Sequence, residues 1–303
     1  MYGVSSDPKD RMGFLLLSTL TAVLLAAHAA LPQQVSSKSF STQTAASYAG
    51  FDRNVYPGDA ALPELRKHFD FVGYWLTDPP GESKNTWVGK RGILLRQGFG
   101  FVVVANGRLD KEIQRSAKQG KPPAALARQD AAAAVTAARR EGFPAHTILF
   151  LDQEEGGRLL DEQAAYLLAW TEAVAASDYL PGVYASGEPV PDGNGPDGRP
   201  VTITTIQDVR ARVAAGHLHE IAIWVTLDAC PPAPGCVLAP PPPEMSGVLN
   251  ATAWQYAQSP RRKAKTQACG KTYASDGNCD TPAPARFDVD LSSASTSDPS
   301  HGR

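Results

Sequence analysis

Eight short, strongly apolar segments recur along the chain, and segments with helical patterning separate most of them. Apolar runs of this length are typical of strands that are buried on both faces of a sheet. A chain that alternates in this way can bury its strands only by covering them with the intervening helices. The predicted strands are 48–54, 69–76, 100–107, 146–154, 180–186, 220–227, 251–258 and 286–293.

The segments between these strands predict the fold class. Strands that alternate with helices favour a parallel sheet, and eight strands in about 250 residues favour a closed (β/α)8 TIM barrel. The alternative is an open, doubly wound sheet, but no glycine-rich dinucleotide fingerprint follows the first strand. We expect the barrel to be irregular around the Pro-rich insertion at 230–247. The predicted helices are 61–69, 88–98, 128–142, 161–177 and 204–216.

The start of the chain has the pattern of a secretory signal. Lys9 and Arg11 precede an apolar stretch at 13–31, which ends in the small-residue motif AHAA. This order of charged, apolar and small residues predicts cleavage after Ala29 or the residue that follows it. Met12 is an alternative start, and an uncleaved membrane anchor is the alternative interpretation of the apolar stretch.

Composition divides the rest of the chain and limits its partners. We predict a signal peptide at 1–30, a flexible linker at 31–46, one barrel at 47–293 and a disordered polar tail at 294–303. The formal net charge of −2 and the charged fraction of 20% give no basic patch that would favour nucleic acid. We therefore expect a secreted or cell-envelope protein with no stable membrane insertion after the signal is cleaved.

The four cysteines fall late in the chain. An even number of cysteines in an exported protein favours disulfides, and four cysteines allow three pairings. We favour Cys230–Cys236 and Cys269–Cys279, because each pair brackets a turn-rich loop. Free thiols are the alternative, and a zinc site is less favoured because neither pair has the short CxxC spacing.

The fourth apolar segment, ILFLDQEEGG at 148–157, runs directly into three acids. Burying a carboxylate is costly unless it has a partner or a use. In a barrel of this type the strands end at the functional face. Because side chains alternate along a strand, we expect Asp152 and Glu154 to share one face and Glu155 to point to the other.

Two other predicted strands carry acids in equivalent places. Asp52 lies in the first strand, and Asp288 and Asp290 alternate with apolar residues in the last one, so we expect both to point into the mouth of the barrel. The first and last strands are neighbours in a closed barrel, so Asp52, Asp152, Glu154 and Asp290 can converge on one acidic pocket. Like charges that crowd in a cleft raise the pKa of at least one carboxyl group, which then stays protonated as a general acid.

Five motifs together resemble a glycoside hydrolase-like domain family typified by a mycobacterial exported protein. That family is itself similar to the lysozyme-type glycoside hydrolase family 25. The resemblance spans about residues 48–293, and its motifs are GFDRNVYPG, ILFLDQE, LPGVYASG, AWQYAQ and FDVDLS. It implies a barrel that acts on cell-wall or other amino-sugar glycans, or a non-catalytic glycan-binding or envelope protein on a hydrolase scaffold.

The resemblance also implies roles for single residues. Family 25 enzymes have an Asp on the first strand, an Asp-x-Glu on the fourth and an Asp on the last. The matching residues here are Asp52, Asp152 with Glu154, and Asp290, and Glu154 corresponds to the general acid. The other acids would orient the sugar, stabilise positive charge or position water.

Aromatic residues near the predicted strand ends are candidates for stacking on sugar rings. We expect substrate contacts from Tyr184, Tyr256, Trp254 and Trp75, although core packing is the more common role of such residues. No histidines cluster with the acids, so we expect no metal and no cofactor. The carboxylates alone could still bind a hard cation such as Ca²⁺, which is the alternative.

We expect the exported protein to lack residues 1 to about 29 and to contain two intramolecular disulfides. Mass spectrometry of the secreted protein, before and after thiol alkylation, measures both properties. An intact N-terminus would contradict the signal peptide. Four alkylatable thiols in the unreduced protein would contradict the disulfides.

Overall fold

The structure is a computed structural model, and it describes residues 47–228, 240–260 and 286–303. The predicted signal peptide, the linker and all four cysteines lie outside these residues. Within the described residues, the helices are α1 (Leu62–Leu65), α2 (Arg91–Arg96), α3 (Asp110–Lys118), α4 (Pro123–Glu141), α5 (Asp161–Ala175) and α6 (Thr205–Gly216), with short 3-10 turns at Asp59–Ala61 and Pro243–Ser246.

The strands form a closed barrel and one separate hairpin. Around the barrel, each strand is hydrogen-bonded to the next in the order β1-β10-β9-β8-β5-β4-β3-β2, while β6 and β7 pair only with each other. This confirms the predicted barrel. The strands are β1 (Tyr48–Asp52), β2 (Phe71–Trp75), β3 (Gly100–Asn106), β4 (Ile148–Asp152), β5 (Leu180–Ser186), β6 (Val190–Asn194), β7 (Pro200–Ile203), β8 (Ala222–Thr226), β9 (Ala253–Ala257) and β10 (Asp290–Ala294).

The last strand departs from a purely parallel barrel. β10 pairs antiparallel with both of its neighbours, and its first residue, Asp290, lies opposite the last residue of β1, Asp52. The other barrel pairs are parallel. Because β10 runs in the opposite direction, its N-terminal end lies beside the C-terminal ends of the other strands. Asp290 therefore reaches the functional face from the start of its strand.

Two elements were missing from the sequence prediction. Helix α3 buries a single residue, Ile113, so its sequence lacks the repeating apolar face that indicates a helix. The β6–β7 hairpin is mostly exposed and rich in Pro, Gly and Asp, so it lacks the apolar alternation of a strand. In the described part of the chain, none of the helices has the length and apolarity needed to cross a bilayer.

The aromatic core lies between the barrel and its helices. Tyr74 on β2 packs edge-on against Phe101 of β3 and Phe143, with ring centroids 6.0 and 5.2 Å apart. Inside the barrel, Phe150 packs against Trp224 at 6.1 Å. Edge-to-face pairs at these distances add to the stabilisation that comes from burying the rings.

The polar tail closes the end of the barrel opposite the strand C-termini. Ser300 is fully buried, and its backbone N–H donates to the Phe101 carbonyl at 2.8 Å. The Ser300 carbonyl accepts from the N–H of Ile148 at 2.8 Å, and its Oγ accepts from the N–H of Val103 at 2.9 Å. The composition of 294–303 predicts a disordered tail, whereas the structure orders Ser300 by hydrogen bonds to backbone groups of β3 and to the first residue of β4.

Replacing Ser300 with Ala should leave the Val103 N–H buried without an acceptor. An unsatisfied buried donor costs about 1–3 kcal/mol, so the melting temperature should fall by about 3–10 °C in a domain of this size. Differential scanning calorimetry measures the change. The matched control is Ser295→Ala in the exposed part of the same tail, which should melt like the wild type. Equal melting temperatures for all three proteins would show that the tail contributes no stability.

Candidate functional site

Four carboxyl groups line one cavity at the mouth of the barrel. Asp52 ends β1, Asp152 ends β4, Glu154 follows two residues later, and Asp290 begins β10. The cavity has a volume of about 70 Å³. The structure thus brings together the four acids that the sequence singled out. The other lining residues are Asn54, Trp75, Val104, Tyr184, Trp224, Gln255 and Gln258.

A second cavity of about 160 Å³ adjoins the first and shares Glu154, Tyr184 and Gln258 with it. It adds the acids Glu188 and Asp228 to the lining. We call the two cavities together the carboxyl cleft. A larger cavity, of about 840 Å³, lies against α6, β5 and β8 and is mostly apolar. We place the candidate site in the carboxyl cleft, because converging titratable groups indicate chemistry better than volume does.

Asp52 is buried at the seam between β1 and its neighbours. A Cβ atom added to Gly73 on β2 would lie 2.4 Å from the Asp52 Cβ, so a glycine is needed there to make room for the acid. The Asp52 side chain is only 7% exposed. Burial raises the pKa of Asp52 to about 7; a hydrogen bond from Gln255 opposes this rise, and the charge of Glu154 adds to it.

Asp152 and Glu154 form a carboxyl pair with different exposure. Asp152 is 4% exposed, whereas Glu154 is exposed to solvent. Burial, followed by the charges of Glu154 and Asp52 and a hydrogen bond with Glu154, raises the pKa of Asp152 well above its ordinary value. The Asp152 Oδ1 atom is buried and has no hydrogen-bond partner in the described part of the chain. The pair therefore joins a buried carboxyl to one that a ligand can reach.

Asp290 completes the cluster from the antiparallel strand. It is half-buried, and its Oδ1 accepts a hydrogen bond from the Ser259 backbone N–H at 2.6 Å. Burial and the charge of Asp52 raise the pKa of Asp290 well above its ordinary value, although the Ser259 bond opposes the rise. Burial therefore raises the pKa of both carboxyls of the Asp52–Asp290 pair.

Glu155 points away from the cleft, as alternation along the strand predicts. Its Oε2 accepts from the backbone N–H of Asp110, at the start of α3, at 2.8 Å. The same oxygen accepts from the Gln163 side-chain amide at 2.5 Å. A carboxylate is favourable at a helix N-terminus, so Glu155 has a structural use outside the cleft.

Gln255 is a cleft residue that sequence reasoning missed. It is 1% exposed on β9, and its amide contacts Asp52, Asp290 and Tyr184. The signal was present in the sequence, because a lone polar residue between two aromatic ones must face the opposite side of the strand from both.

The predicted sugar-contacting residues separate into two groups. Tyr184 and Trp75 line the cleft. Trp254 and Tyr256 do not, because Gln255 takes the inward position on β9 and both aromatic rings turn to the outer face. Trp254 is 1% exposed and donates its indole N–H to the Leu227 carbonyl at 2.9 Å. Both rings are buried and pack against each other with centroids 5.9 Å apart, and their contact with substrate stays a prediction.

Trp224 also lines the cleft and packs against Tyr184 with ring centroids 4.7 Å apart. The Trp75 Nε1 atom is buried and lacks a partner within the described residues. Across the described ranges, no group of three or more His, Cys, Asp or Glu side chains is arranged to hold a metal ion.

Residues 67–226 match the family model of the Rv2525c-like, glycoside hydrolase-like domain. The chain belongs to this family. The matched range contains Asp152, Glu154, Trp75 and Tyr184. A comparison with curated protein sequences found no match.

Solved structures with a similar fold include three from bacteria. An uncharacterized protein of B. stearothermophilus has a TM-score of 0.47 at 18% identity, covering 81% of this chain and 94% of that one. The Tat-secreted protein Rv2525c of Mycobacterium tuberculosis, in complex with L-tartrate, has a TM-score of 0.46 at 12% identity, covering 82% and 95%. The modular autolysin LytC of Streptococcus pneumoniae, in complex with a synthetic peptidoglycan ligand, has a TM-score of 0.42 at 12% identity. The match covers 82% of this chain and 46% of the LytC chain.

The raised pKa of Asp52 predicts a pH dependence of stability. Between about pH 4 and pH 7 the folded state keeps a proton that the unfolded state has released, so the free energy of unfolding falls as the pH rises. Asp52→Asn should remove this contribution. The free energy of unfolding of Asp52→Asn, relative to that of the wild type, should therefore rise by up to roughly 4 kcal/mol as the pH increases from about 4 to about 7.

Urea denaturation of both proteins at a series of pH values measures the difference. The matched control is Asp288→Asn, which removes an exposed carboxyl two residues before Asp290 that does not line the cleft. This control should run parallel to the wild type. If Asp52→Asn also runs parallel to the wild type, Asp52 does not keep its proton in the folded state.

Proposed function

We propose that this protein is a secreted or cell-envelope glycoside hydrolase that cleaves amino-sugar glycans such as peptidoglycan. The observation that carries the proposal is the pairing of exposed Glu154 with buried Asp152 in a cleft with two further carboxyls. Glycosidases need one carboxyl that donates a proton and a second group that stabilises the sugar cation. The glycoside hydrolase-like family to which the chain belongs supports the same reaction class.

Glu154 is the general acid of the proposed reaction. Its carboxyl donates a proton to the glycosidic oxygen while the bond from that oxygen to the sugar C1 breaks. On a sugar with an N-acetyl group, the acetamido carbonyl oxygen forms the new bond to C1. Asp152 accepts a hydrogen bond from the acetamido N–H and so orients the carbonyl for attack.

Water completes the cycle. It attacks C1, the bond from C1 to the acetamido oxygen breaks, and a proton from the water returns to the Glu154 carboxylate. Asp52 and Asp290 stabilise the positive charge that develops on the sugar or position the water. Tyr184 packs against the sugar ring, and Trp75 presents an indole N–H that is unpartnered within the described residues.

A non-catalytic glycan-binding role is the alternative, and one observation favours it. Burial is the largest cause of the raised pKa values of Asp52, Asp152 and Asp290, but Glu154 is exposed. A general acid usually keeps its proton because its surroundings are apolar. In this alternative, the cleft and its aromatic residues bind the glycan without cleaving it.

Replacing Glu154 with Gln tests the proposal, because it preserves the shape of the side chain and removes the proton that is donated. General acid catalysis contributes about 10²–10⁴-fold, so kcat should fall by that factor while glycan binding persists. The assay measures release of reducing ends from purified peptidoglycan and from N-acetylated chitin fragments. Isothermal titration calorimetry with the same fragments measures binding.

The matched control is Glu155→Gln. Glu155 faces away from the cleft, and Gln keeps an acceptor oxygen for the Asp110 N–H, so this variant should fold and retain its kcat. A wild type that binds these glycans without cleaving them supports the non-catalytic role. A wild type that neither binds nor cleaves them refutes both glycan functions. Equal kcat values for the wild type and Glu154→Gln would exclude Glu154 as the acid.

A further inference from the structure

Gln255 is the polar residue that connects the two sides of the carboxyl cleft. Its Nε2 donates to Asp52 Oδ1 at 3.1 Å and Oδ2 at 3.3 Å, and to Asp290 Oδ2 at 3.4 Å. Its Oε1 accepts from the Tyr184 hydroxyl at 2.7 Å and from the Thr226 hydroxyl at 3.0 Å. One buried amide thus joins β9 to the carboxyls of β1 and β10 and to the hydroxyls of β5 and β8.

The orientation of this amide is fixed by its neighbours. Gln258 Nε2 donates to Gln255 Oε1 at 3.1 Å, which makes three donors around that oxygen. Turned over, the amide would place its carbonyl oxygen against Asp52 and Asp290 and its N–H against the Gln258 amide N–H. An ionised carboxylate has only acceptor atoms, so the turned amide would oppose it. The N–H groups of Gln255 are therefore directed at Asp52 when Asp52 or Asp290 is ionised.

We propose that Gln255 is a positioning residue that holds the Asp52 carboxyl at the β1–β10 seam and favours its ionised form. The amide contacts both Asp52 oxygens, so it restricts the rotation of the carboxyl as well as its charge. Hydrogen bonds to the charged form of an acid favour that form. The consequence for catalysis rests on the proposed function: an ionised Asp52 stabilises the positive charge that develops on the sugar.

Several titratable groups lie around Asp52 and Gln255 on the surrounding strands and the segments that follow them. The charge of Glu154 opposes the ionisation of Asp52, while the hydrogen bond from the Gln255 amide favours it. The groups are Asp290 on β10, Asp152 on β4, Glu154 after β4, Tyr184 on β5 and Asp228 after β8.

A carboxyl NMR titration of the full protein tests the role of Gln255 without any activity assay. The aspartate side-chain carboxyls are labelled with ¹³C, and Asp52→Asn identifies the Asp52 resonance. Gln255→Met has a similar length and removes both donors. The midpoint of the Asp52 titration should rise by about one to two pH units, because a hydrogen bond to a charged group is lost.

The matched control is Gln163→Met. Gln163 is also a buried glutamine that donates to a carboxylate, but it lies on α5 and does not line the cleft. It should lose stability while the Asp52 midpoint stays unchanged. If Gln255→Met does not fold, Gln255→Glu replaces the donor with an acceptor of the same shape and should raise the Asp52 midpoint as well. An unchanged midpoint in a folded Gln255 variant overturns the proposal.

The titration also separates this inference from the proposed function. If the wild type cleaves glycans, the acidic limb of the pH profile of kcat/KM should lie at higher pH in the Gln255 variant. This shift should match the shift of the Asp52 midpoint. A wild type without activity refutes the hydrolase, yet the NMR midpoint still decides the role of Gln255. If the wild type is active but the Asp52 midpoint is the same in the Gln255 variant, only the positioning role is refuted.

Discussion

Closure of the barrel at the β1–β10 seam places two carboxyl groups side by side, and the chemistry of the mouth follows from that contact. β10 enters antiparallel, so its first residue, Asp290, is the register partner of the last residue of β1, Asp52. Two neighbouring carboxylates repel each other, and burial disfavours both charges. Hydrogen bonds from the Gln255 amide to Asp52 and from the Ser259 backbone N–H to Asp290 partly offset this cost. A parallel last strand would have placed its first residue at the opposite end of the barrel.

The two ends of the barrel have opposite roles. At the mouth, charged groups lie where burial opposes their ionisation, which lowers the stability of the fold. At the other end, Ser300 satisfies the first backbone groups of β3 and β4, and Asp298 accepts from the Phe101 N–H at 2.9 Å. Stability at one end and chemistry at the other is the usual division in barrels of this class. The tail therefore offsets part of the cost of the cleft.

The sequence predicted what depends on local alternation and missed what depends on partners far along the chain. The pleat of a strand separates Asp152 from Glu155 whatever surrounds them, so their directions could be predicted. Side chains alternate in the same way in parallel and antiparallel strands, so the antiparallel direction of β10 could not be predicted from the sequence. Ser300 looked disordered because its partners lie 152 to 199 positions earlier in the chain. Gln255 is not predicted, because the aromatic residues on either side of it favour the other face of β9 as the ligand-binding one.

The acids after β4 show why neither position nor pKa alone identifies a reactive group. Glu155 is committed to the start of α3. Burial raises the pKa of Asp152, but it also keeps this carboxyl away from a leaving group. Glu154 is exposed and can reach a ligand, but it lacks that burial. The charge of Glu154 and its hydrogen bond with Asp152 both help to raise the pKa of Asp152, so the exposed acid influences the buried one. The Asp152–Glu154 pair therefore joins a buried carboxyl to an exposed one, and the cleft must be judged by the pair because neither residue alone combines burial with access to a ligand.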